Sequence, residues 1–202
     1  MNKAKNWDVC YEDGRNFAVF SEILLERIVG VAQNNNVNLE NTLDIGCGTG
    51  DLVDSLSRCI PGSFVEGIDF SHSAIKIAQE RYSKLSFSVM NIESDLLDKK
   101  WGVITCSLVY AFMQDKKHFL EKVKTILHND GIFILNSPVL FKGREYSTHE
   151  KSISVDFDET TRLLQEVYPG YVLYDESFSG KFGSRNTWLL AHSSKFSNPF
   201  IQ

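Results

Sequence analysis

The chain has 202 residues, 43% of them hydrophobic, which suits one well-buried domain better than two. Its formal net charge of −5 and its lack of a Lys/Arg block argue against a nucleic-acid partner, because a phosphate backbone would repel it. The four cysteines show no metal-ligand spacing and are expected to be free thiols of a reducing cytoplasm. The N-terminus lacks a leader pattern, and no apolar run is long enough to cross a bilayer. These features predict a soluble cytoplasmic protein without a membrane partner.

The first 35 residues are predicted to form an N-terminal segment and one helix. Residues 1–15 are polar with scattered aromatic side chains, and apolar residues then recur at helical spacing between Phe17 and Val31. Three asparagines at 34–36 tolerate a turn and end the helix. The first strand is expected to begin near Asn41.

A glycine-rich loop follows that strand. The stretch from Thr42 to Gly50 is an apolar run that ends in a carboxylate and then in three glycines at alternate positions. Residues 51–56 have the spacing of an amphipathic helix. Glycine suits this junction because a tight turn needs a positive φ and because a ligand can approach the backbone where no Cβ stands in the way.

From this loop to residue 137 the pattern alternates between strands and helices. Helices are predicted at 50–60, from the N-cap Ser71 to about Lys84, and from Asp115 to about His128. The predicted strands after the first are Phe64–Asp69, Leu85–Met90, Val103–Leu108 and Gly131–Ser137. Strands that alternate with helices indicate a parallel sheet covered on both faces.

The alternation lapses after Pro138. Residues 138–156 include a polar stretch without clear period, Lys142–Ser154, which we interpret as a substrate loop or lid. Residues 157–193 are predicted to hold a helix at 158–168 and two antiparallel strands, near Tyr171–Phe178 and Asn186–His192. The tail from Phe196 to Gln202 is expected to be frayed.

The charge beside the loop indicates which ligand it holds. Asp44 precedes the first glycine by two residues and Asp51 directly follows the last, so an anion would meet two carboxylates. A pyrophosphate is therefore disfavoured and a cationic centre favoured. The spacing is also Gly-x-Gly-x-Gly and not the Gly-x-Gly-x-x-Gly of dinucleotide-binding turns. Both points argue against an NAD-dependent oxidoreductase, which stays an alternative.

The stretch Leu-Asp-Ile-Gly-Cys-Gly-Thr-Gly resembles the first motif of the class I S-adenosylmethionine-dependent methyltransferases. The resemblance covers about residues 40–137 well and the ends more weakly. It implies an α/β fold with a doubly wound, mostly parallel seven-stranded sheet, an antiparallel last strand and helices on both faces. It also implies S-adenosylmethionine as cofactor and S-adenosylhomocysteine as product. The whole chain, 1–202, would be one methyltransferase domain.

The strand ends supply the expected cofactor contacts, because ligands of open α/β sheets lie at the carboxyl ends of the strands. Asp69 ends the second strand, 23 residues after Gly46, near the distance at which an acidic residue accepts from ribose hydroxyls. Phe70 could cover an adenine face or pack into the core as a helix-entry residue. The resemblance implies adenine contacts at Asn91 and Ile92, where this chain has Asn in place of the commoner Asp. An ordinary turn residue is the alternative for Asn91.

Further cofactor and acceptor residues are expected around this set. The resemblance implies loop contacts from Asp44, Gly46, Cys47, Gly48 and Gly50, and a backbone contact from Ser107 after the fourth strand. Tyr11 and Arg15 of the N-terminal segment could close the pocket, with Arg15 pairing the cofactor carboxylate. His149 is the one histidine placed where an acceptor proton could leave, although a lone loop histidine is commonly just exposed. No metal is expected.

The sequence thus predicts methyl transfer to a small-molecule acceptor. Three alternatives stay open: a methyltransferase acting on protein or RNA, a catalytically silent S-adenosylmethionine-binding protein of the same fold, and the oxidoreductase above. The Asx-Pro-Pro-aromatic motif of nucleic-acid and glutamine amino methyltransferases is missing after the fourth strand. The acceptor atom, the general base and the oligomeric state are left open.

Overall fold

The computed structural model describes residues 3–14, 25, 29–30, 34, 37–169, 172–180 and 183–191, and side chains within them except those of 3–6, 172–180 and 183–186. Most of the predicted helix at 17–31, Arg15 and the tail from residue 196 lie outside the described residues.

Most predicted strands begin and end within three residues of the expected positions, but the fifth spans 127–140 in place of the expected 131–137. They are β1 (Asn41–Ile45), β2 (Phe64–Asp69), β3 (Ser86–Val89), β4 (Trp101–Ser107), β5 (Leu127–Leu140), β6 (Val155–Asp156), β7 (Val172–Gly180) and β8 (Gly183–Ala191). The helices are α1 (Lys3–Glu12), α2 (Asp51–Cys59), α3 (His72–Arg81), α4 (Lys116–Ile126), α5 (Thr148–Ile153) and α6 (Phe157–Val167), with a 3₁₀-helix at Tyr110–Phe112.

Seven strands form one sheet in the order β3-β2-β1-β4-β5-β8-β7. Strands β1 to β5 pair in parallel. The last strand, β8, runs antiparallel to both of its neighbours, β5 and β7. The predicted mostly parallel seven-stranded sheet with an antiparallel last strand is confirmed. The two-residue strand β6, which pairs with the end of β5, was not predicted.

The core lies on both faces of this sheet because successive side chains of a strand point in opposite directions. In β4, Ile104 packs into a cluster with Phe119 of α4 and Leu164 of α6. Val103, one residue earlier, packs into a second cluster with Val53 of α2. The doubly wound arrangement follows directly from this alternation.

The parallel register brings the ends of four strands to one edge. Ile45 at the end of β1 pairs with Ile68 in β2 and with Cys106 in β4. Asp69 at the end of β2 pairs with Val89 at the end of β3. The loops that follow these strands therefore lie side by side, at the edge where open α/β sheets bind ligands.

Of two further predictions, the start of α3 is confirmed and the irregular loop after β5 is partly wrong. Ser71 is the N-cap of α3, as expected, and its hydroxyl accepts from the Ala74 N–H at 3.1 Å. The interpretation of Lys142–Ser154 as an irregular loop was wrong in its second half, which forms α5. The physical reason is a capping box, in which Ser147 and Glu150 bond each other's backbone N–H groups.

Candidate active site

The glycine loop turns at Gly46, which has a φ of +72°. The backbone N–H groups of Gly46 and Cys47 both donate to the Ile68 carbonyl, at 2.7 and 3.0 Å, and tie the loop to β2. A Cβ at position 46 would lie 2.3 Å from Cγ2 of Val109. Glycine is therefore required both by the turn and by the approach of the chain that follows β4.

The loop continues under Tyr11 of α1. Gly48 has a φ of +52°, and a Cβ there would lie 2.9 Å from the Tyr11 hydroxyl oxygen. Tyr11 is only 9% exposed, and burial raises the pKa of its hydroxyl, with a smaller contribution from Asp69. Gly50, with a φ of +87°, then begins α2 as its N-cap. Tyr11 therefore lies against the loop, and its role toward a cofactor stays a prediction.

Asp69 lies beside the loop and is buried, with 7% of its surface exposed. One carboxylate oxygen, Oδ2, accepts from the Gly48 N–H at 3.0 Å, and the other, Oδ1, accepts from the Ser71 N–H at 2.9 Å. Burial raises the pKa of Asp69, and these backbone bonds partly oppose the rise. Since a carboxylate offers about four acceptor positions, the side chain keeps capacity for ligand hydroxyls.

Asp44 is a second buried carboxylate in the same site. It is 2% exposed and accepts a hydrogen bond of 2.7 Å from the Thr105 hydroxyl in β4. Burial raises the pKa of Asp44 to about 7, against the bond from Thr105, and the charge of Asp69 adds to the rise. Among the residues that the structure describes, no Lys or Arg forms an ion pair with either carboxylate.

The sequence suggested that Asp51 adds negative charge at the ligand position, but in the structure this carboxylate is bound to other residues. Its carboxylate is held by both terminal nitrogens of Arg81, at 2.7 and 3.0 Å, and by the Tyr82 hydroxyl at 2.8 Å. Those bonds lower the pKa of Asp51 although burial opposes them. The charge argument against a pyrophosphate therefore rests on Asp44 and Asp69, because the Asp51 charge is neutralised by a partner 30 residues away.

Cys47 is buried beside β2, and its contact with a cofactor stays a prediction. Its side chain is 8% exposed and lies where a Cβ of Gly67 in β2 would come within 2.8 Å of its sulfur. Burial, reinforced by Asp44, raises the pKa of the thiol well above its ordinary value. A thiol held neutral in this way is a poor nucleophile. All four cysteines are free.

The other predicted contacts occupy the neighbouring strand ends. Phe70 is half-buried and directly follows Asp69. Asn91 is exposed, and its amide oxygen accepts from the Glu93 N–H at 3.0 Å in a local turn. Ile92 is buried in the hydrophobic core, and Ser107 is half-buried at the end of β4. The structure brings these residues to the correct edge, and their roles toward a cofactor stay predictions.

Leu108 was missed by the sequence reasoning. Among the described residues it is the one non-glycine position with a positive φ, +64°. Its N–H donates to the Asn136 carbonyl of β5 at 2.8 Å, and the turn carries Val109 onto Gly46. Leucine in the left-handed region is strained by about 1–3 kcal/mol, and such residues cluster at functional sites. No sequence signal marks a leucine for this conformation.

Helix α1 extends across the edge of the sheet. Asp8 of this helix accepts a hydrogen bond of 2.6 Å from the hydroxyl of Ser71, which follows β2. Trp7 meets Phe112 of the 3₁₀-helix edge-on, with ring centroids 5.2 Å apart, next to β4. Tyr11, about one turn later in α1, lies against the glycine loop. The first 15 residues thus contain a helix that was not predicted, and closure of the pocket by this segment stays a prediction.

Helix α5 also lies next to this 3₁₀-helix. His149 is exposed on α5, so it does not lie in a loop as expected. Tyr146 precedes the helix, and its hydroxyl accepts from the Phe141 N–H at 2.8 Å. Arg15, the second predicted residue of the N-terminal segment, lies outside the described residues. The role of His149 as a base stays a prediction.

Together these features define a class of protein. The fold is a doubly wound α/β sheet, and its ligand edge carries a glycine loop with two buried carboxylates that no described cation neutralises. A buried negative site of this kind fits a ligand with a positive centre, whereas a pyrophosphate would raise its energy further. The residues present therefore fit an adenosyl sulfonium cofactor.

Comparison with known proteins identifies the family. Residues 36–181 match the family model described as a methyltransferase domain. The chain belongs to this family, and its resemblance to the class I S-adenosylmethionine-dependent methyltransferases is confirmed.

Two curated relatives share less than a third of their aligned residues with this chain. The chain is 28% identical over 171 residues to putative methyltransferase 235L of Invertebrate iridescent virus 6, covering 81% of this chain and 60% of that protein. It is 26% identical over 133 residues to malonyl-[acyl-carrier protein] O-methyltransferase 2 of Ilyobacter polytropus, covering 64% and 51%. The chain thus spans little more than half the length of these two curated relatives.

Solved structures agree on the fold. The plantazolicin methyltransferase BpumL, solved with a desmethyl plantazolicin analogue and SAH, superposes with a TM-score of 0.70 at 19% identity over 94% of this chain and 91% of that chain. An S-adenosylmethionine-dependent methyltransferase from Clostridium acetobutylicum also gives 0.70, at 17% identity over 95% and 100%. These two structures share the fold of this chain. No helix within the described part of the chain is long and apolar enough to cross a membrane.

Proposed function

We propose that this protein transfers the methyl group of S-adenosylmethionine to a small-molecule acceptor. The observation that carries the proposal is the pair of buried carboxylates beside the glycine loop. Asp44 and Asp69 are both more than nine-tenths buried and raise each other's energy. A site built at this cost is best explained by a ligand that brings hydroxyl groups and a positive charge.

Each residue of the site has a proposed task. Asp69 accepts from the ribose hydroxyls, and Asp44 supplies negative charge below the glycine loop. Gly46 and Gly48 adopt the positive φ that shapes the loop. Tyr11 closes the site from above and excludes water.

The reaction asks little further of the protein. The bound cofactor supplies an activated methyl group on a positively charged sulfur. The chain must hold the acceptor in line with that methyl group in a dry pocket, and alignment of this kind can contribute about 7–11 kcal/mol. Aromatic side chains at the acceptor side, such as Trp7 and Phe112, suit a path along which positive charge moves.

The acceptor is proposed to bind between α1, the 3₁₀-helix and α5. Helices α1 and α5 both contact the 3₁₀-helix, which follows β4. His149 on α5 is the candidate base for an oxygen acceptor, which would need to lose a proton. A nitrogen or sulfur acceptor would need less from it.

We further propose a small acceptor and a cytoplasmic location. The net charge of −5 disfavours nucleic acid. The names of one relative, malonyl-[acyl-carrier protein] O-methyltransferase, and of one protein of the same fold, plantazolicin methyltransferase, suggest malonyl-[acyl-carrier protein] and desmethyl plantazolicin analogues as acceptors to include in a screen.

Two experiments test the proposal. Isothermal calorimetry should show binding of S-adenosylmethionine and S-adenosylhomocysteine, and tighter binding of NAD than of either would reject it. Incubation of a metabolite extract with the enzyme and cofactor labelled in its methyl group should yield a labelled product by mass spectrometry. Cofactor binding without transfer to any metabolite, protein or RNA would instead identify a silent binding protein.

A further inference from the structure

Both oxygens of Asp69 are held by groups that also contact α1. On one side, Oδ1 accepts from the Ser71 N–H, and the Ser71 hydroxyl donates to Oδ1 of Asp8 in α1 at 2.6 Å. On the other side, Oδ2 accepts from the Gly48 N–H, and Gly48 lies against the hydroxyl of Tyr11 in α1. The proposed ribose acceptor is therefore linked to the covering helix by two short paths.

Ser71 is the tighter of the two links. It is fully buried, and its N–H and its hydroxyl are both engaged. The hydroxyl donates its single hydrogen to Asp8 and accepts from the Ala74 N–H at 3.1 Å, which caps α3. A shift of Asp69 therefore moves Ser71, and a shift of Ser71 changes the bond that holds α1.

A neighbouring serine contacts α1 without contacting Asp69. The Ser73 hydroxyl donates to Oε1 of Glu12 at 2.8 Å, and the Ser73 N–H donates to Oδ1 of Asp8 at 3.1 Å. Ser73 thus helps to dock α1 on the start of α3. It provides a matched comparison, because its side chain has the same chemistry as that of Ser71 but lies outside the path to Asp69.

We propose that Ser71 is a positioning residue that couples the docking of α1 to occupancy of the ribose position at Asp69. The inference rests on the proposed function. Ligand hydroxyls that bond Asp69 fix its orientation, which fixes the Ser71 backbone and presents the hydroxyl to Asp8. Part of the entropy cost of ordering α1 is then already met when the ligand is bound. By linkage, a docked α1 favours the ligand by the same factor.

The consequence is a cover that responds to the cofactor. Trp7 and Tyr11 lie on α1, so tighter docking after cofactor binding completes the wall that the acceptor meets. The arrangement predicts that cofactor binds before acceptor. It also assigns a role to Asp8, a residue that carries no recognisable motif.

Hydrogen exchange of the α1 amides, read by mass spectrometry with and without S-adenosylhomocysteine at saturation, tests the coupling. In the wild-type protein the ligand should slow exchange in residues 3–12 several-fold. In Asp8→Ala and Ser71→Ala most of this slowing should be lost. Ser73→Ala should exchange faster in both states, because a docking bond is lost, but keep the wild-type ratio between them.

An equal ratio in the wild type, Asp8→Ala and Ser71→Ala would overturn the coupling. Ser71→Ala also removes the cap of α3, so its fold is checked by circular dichroism. If Ser71→Ala does not fold, Asp8→Ala is the deciding variant, because it leaves that cap intact. Calorimetry on the wild type distinguishes a failure of the proposed function from a failure of the coupling. If S-adenosylhomocysteine does not bind, the proposed function fails, and if it binds with no differential slowing, only the coupling is wrong.

Discussion

Replacement of Asp69 by alanine should weaken the binding of S-adenosylhomocysteine about 30- to 150-fold. The loss of a charged acceptor that faces two hydroxyls costs about 2–3 kcal/mol, and each 1.4 kcal/mol is a factor of ten. The structure adds a second effect, because the Gly48 and Ser71 N–H groups lose their acceptor. Unpaired buried donors cost about 1–3 kcal/mol each, although removing a buried carboxylate offsets part of this. We therefore expect the thermal midpoint to fall as well.

The assay must separate these two effects. Calorimetric titration of S-adenosylhomocysteine gives the affinity, and thermal unfolding without ligand gives the stability. Asp51→Ala is the matched control, because its carboxylate directly follows the glycine loop but is bound to Arg81 and Tyr82. That variant should lose stability with little change in affinity. An Asp69→Ala protein that is folded and binds as tightly as the wild type would refute the ribose role.

Three further predictions concern Asp44, Leu108 and His149. Asp44 has a folded pKa of about 7 against 3.8 ordinarily, so its contribution to stability is full below pH 3.8 and is lost as the pH rises toward 7. Because Asp44 of the folded protein becomes charged near pH 7, cationic S-adenosylmethionine should bind more tightly as the pH rises through that value. Both trends should be weaker in Asp44→Asn, and pH-independent binding by calorimetry in the wild type would contradict this. Leu108→Gly should keep or raise the thermal midpoint, because glycine adopts the φ of +64° without strain. It should also weaken S-adenosylhomocysteine binding, because the turn that sets Val109 on Gly46 becomes less restricted. A lower midpoint with unchanged affinity would show that the turn is not strained. His149→Gln should leave cofactor affinity unchanged and lower kcat 10²–10⁴-fold for an oxygen acceptor, and unchanged kcat would exclude His149 as the base.

The sequence was most informative where local chemistry determines the structure. The glycines at 46, 48 and 50 predicted the loop because glycine tolerates a positive φ. Each of the three adopts one in the structure. Ser71 was identifiable as an N-cap from its position after β2. The start of α5 could also have been found, because Ser147 and Glu150 have capping-box spacing, but the polar composition of the segment obscured it.

What the sequence could not provide are contacts between distant residues. Asp51 was expected to face the ligand, yet Arg81, 30 residues later, binds it. Asp8 carries no local signal, because its partner Ser71 is 63 residues away. Leu108 adopts its conformation through the bond to β5 and the packing of Val109, and not through any preference of leucine. Side-chain partners of this kind are set by tertiary structure.

The position of β8 in the sheet has a consequence for how the chain is synthesised. Strand β8 lies between β5 and β7 and pairs with β5 from Ile132 to Pro138. On the ribosome, β1 to β5 emerge first, so the edge of β5 stays open until the residues of β8 follow some 50 positions later. An open edge of apolar residues can recruit other chains. Release of a nascent chain that stops before residue 183 should therefore yield an aggregation-prone product, even though the whole glycine loop has been made.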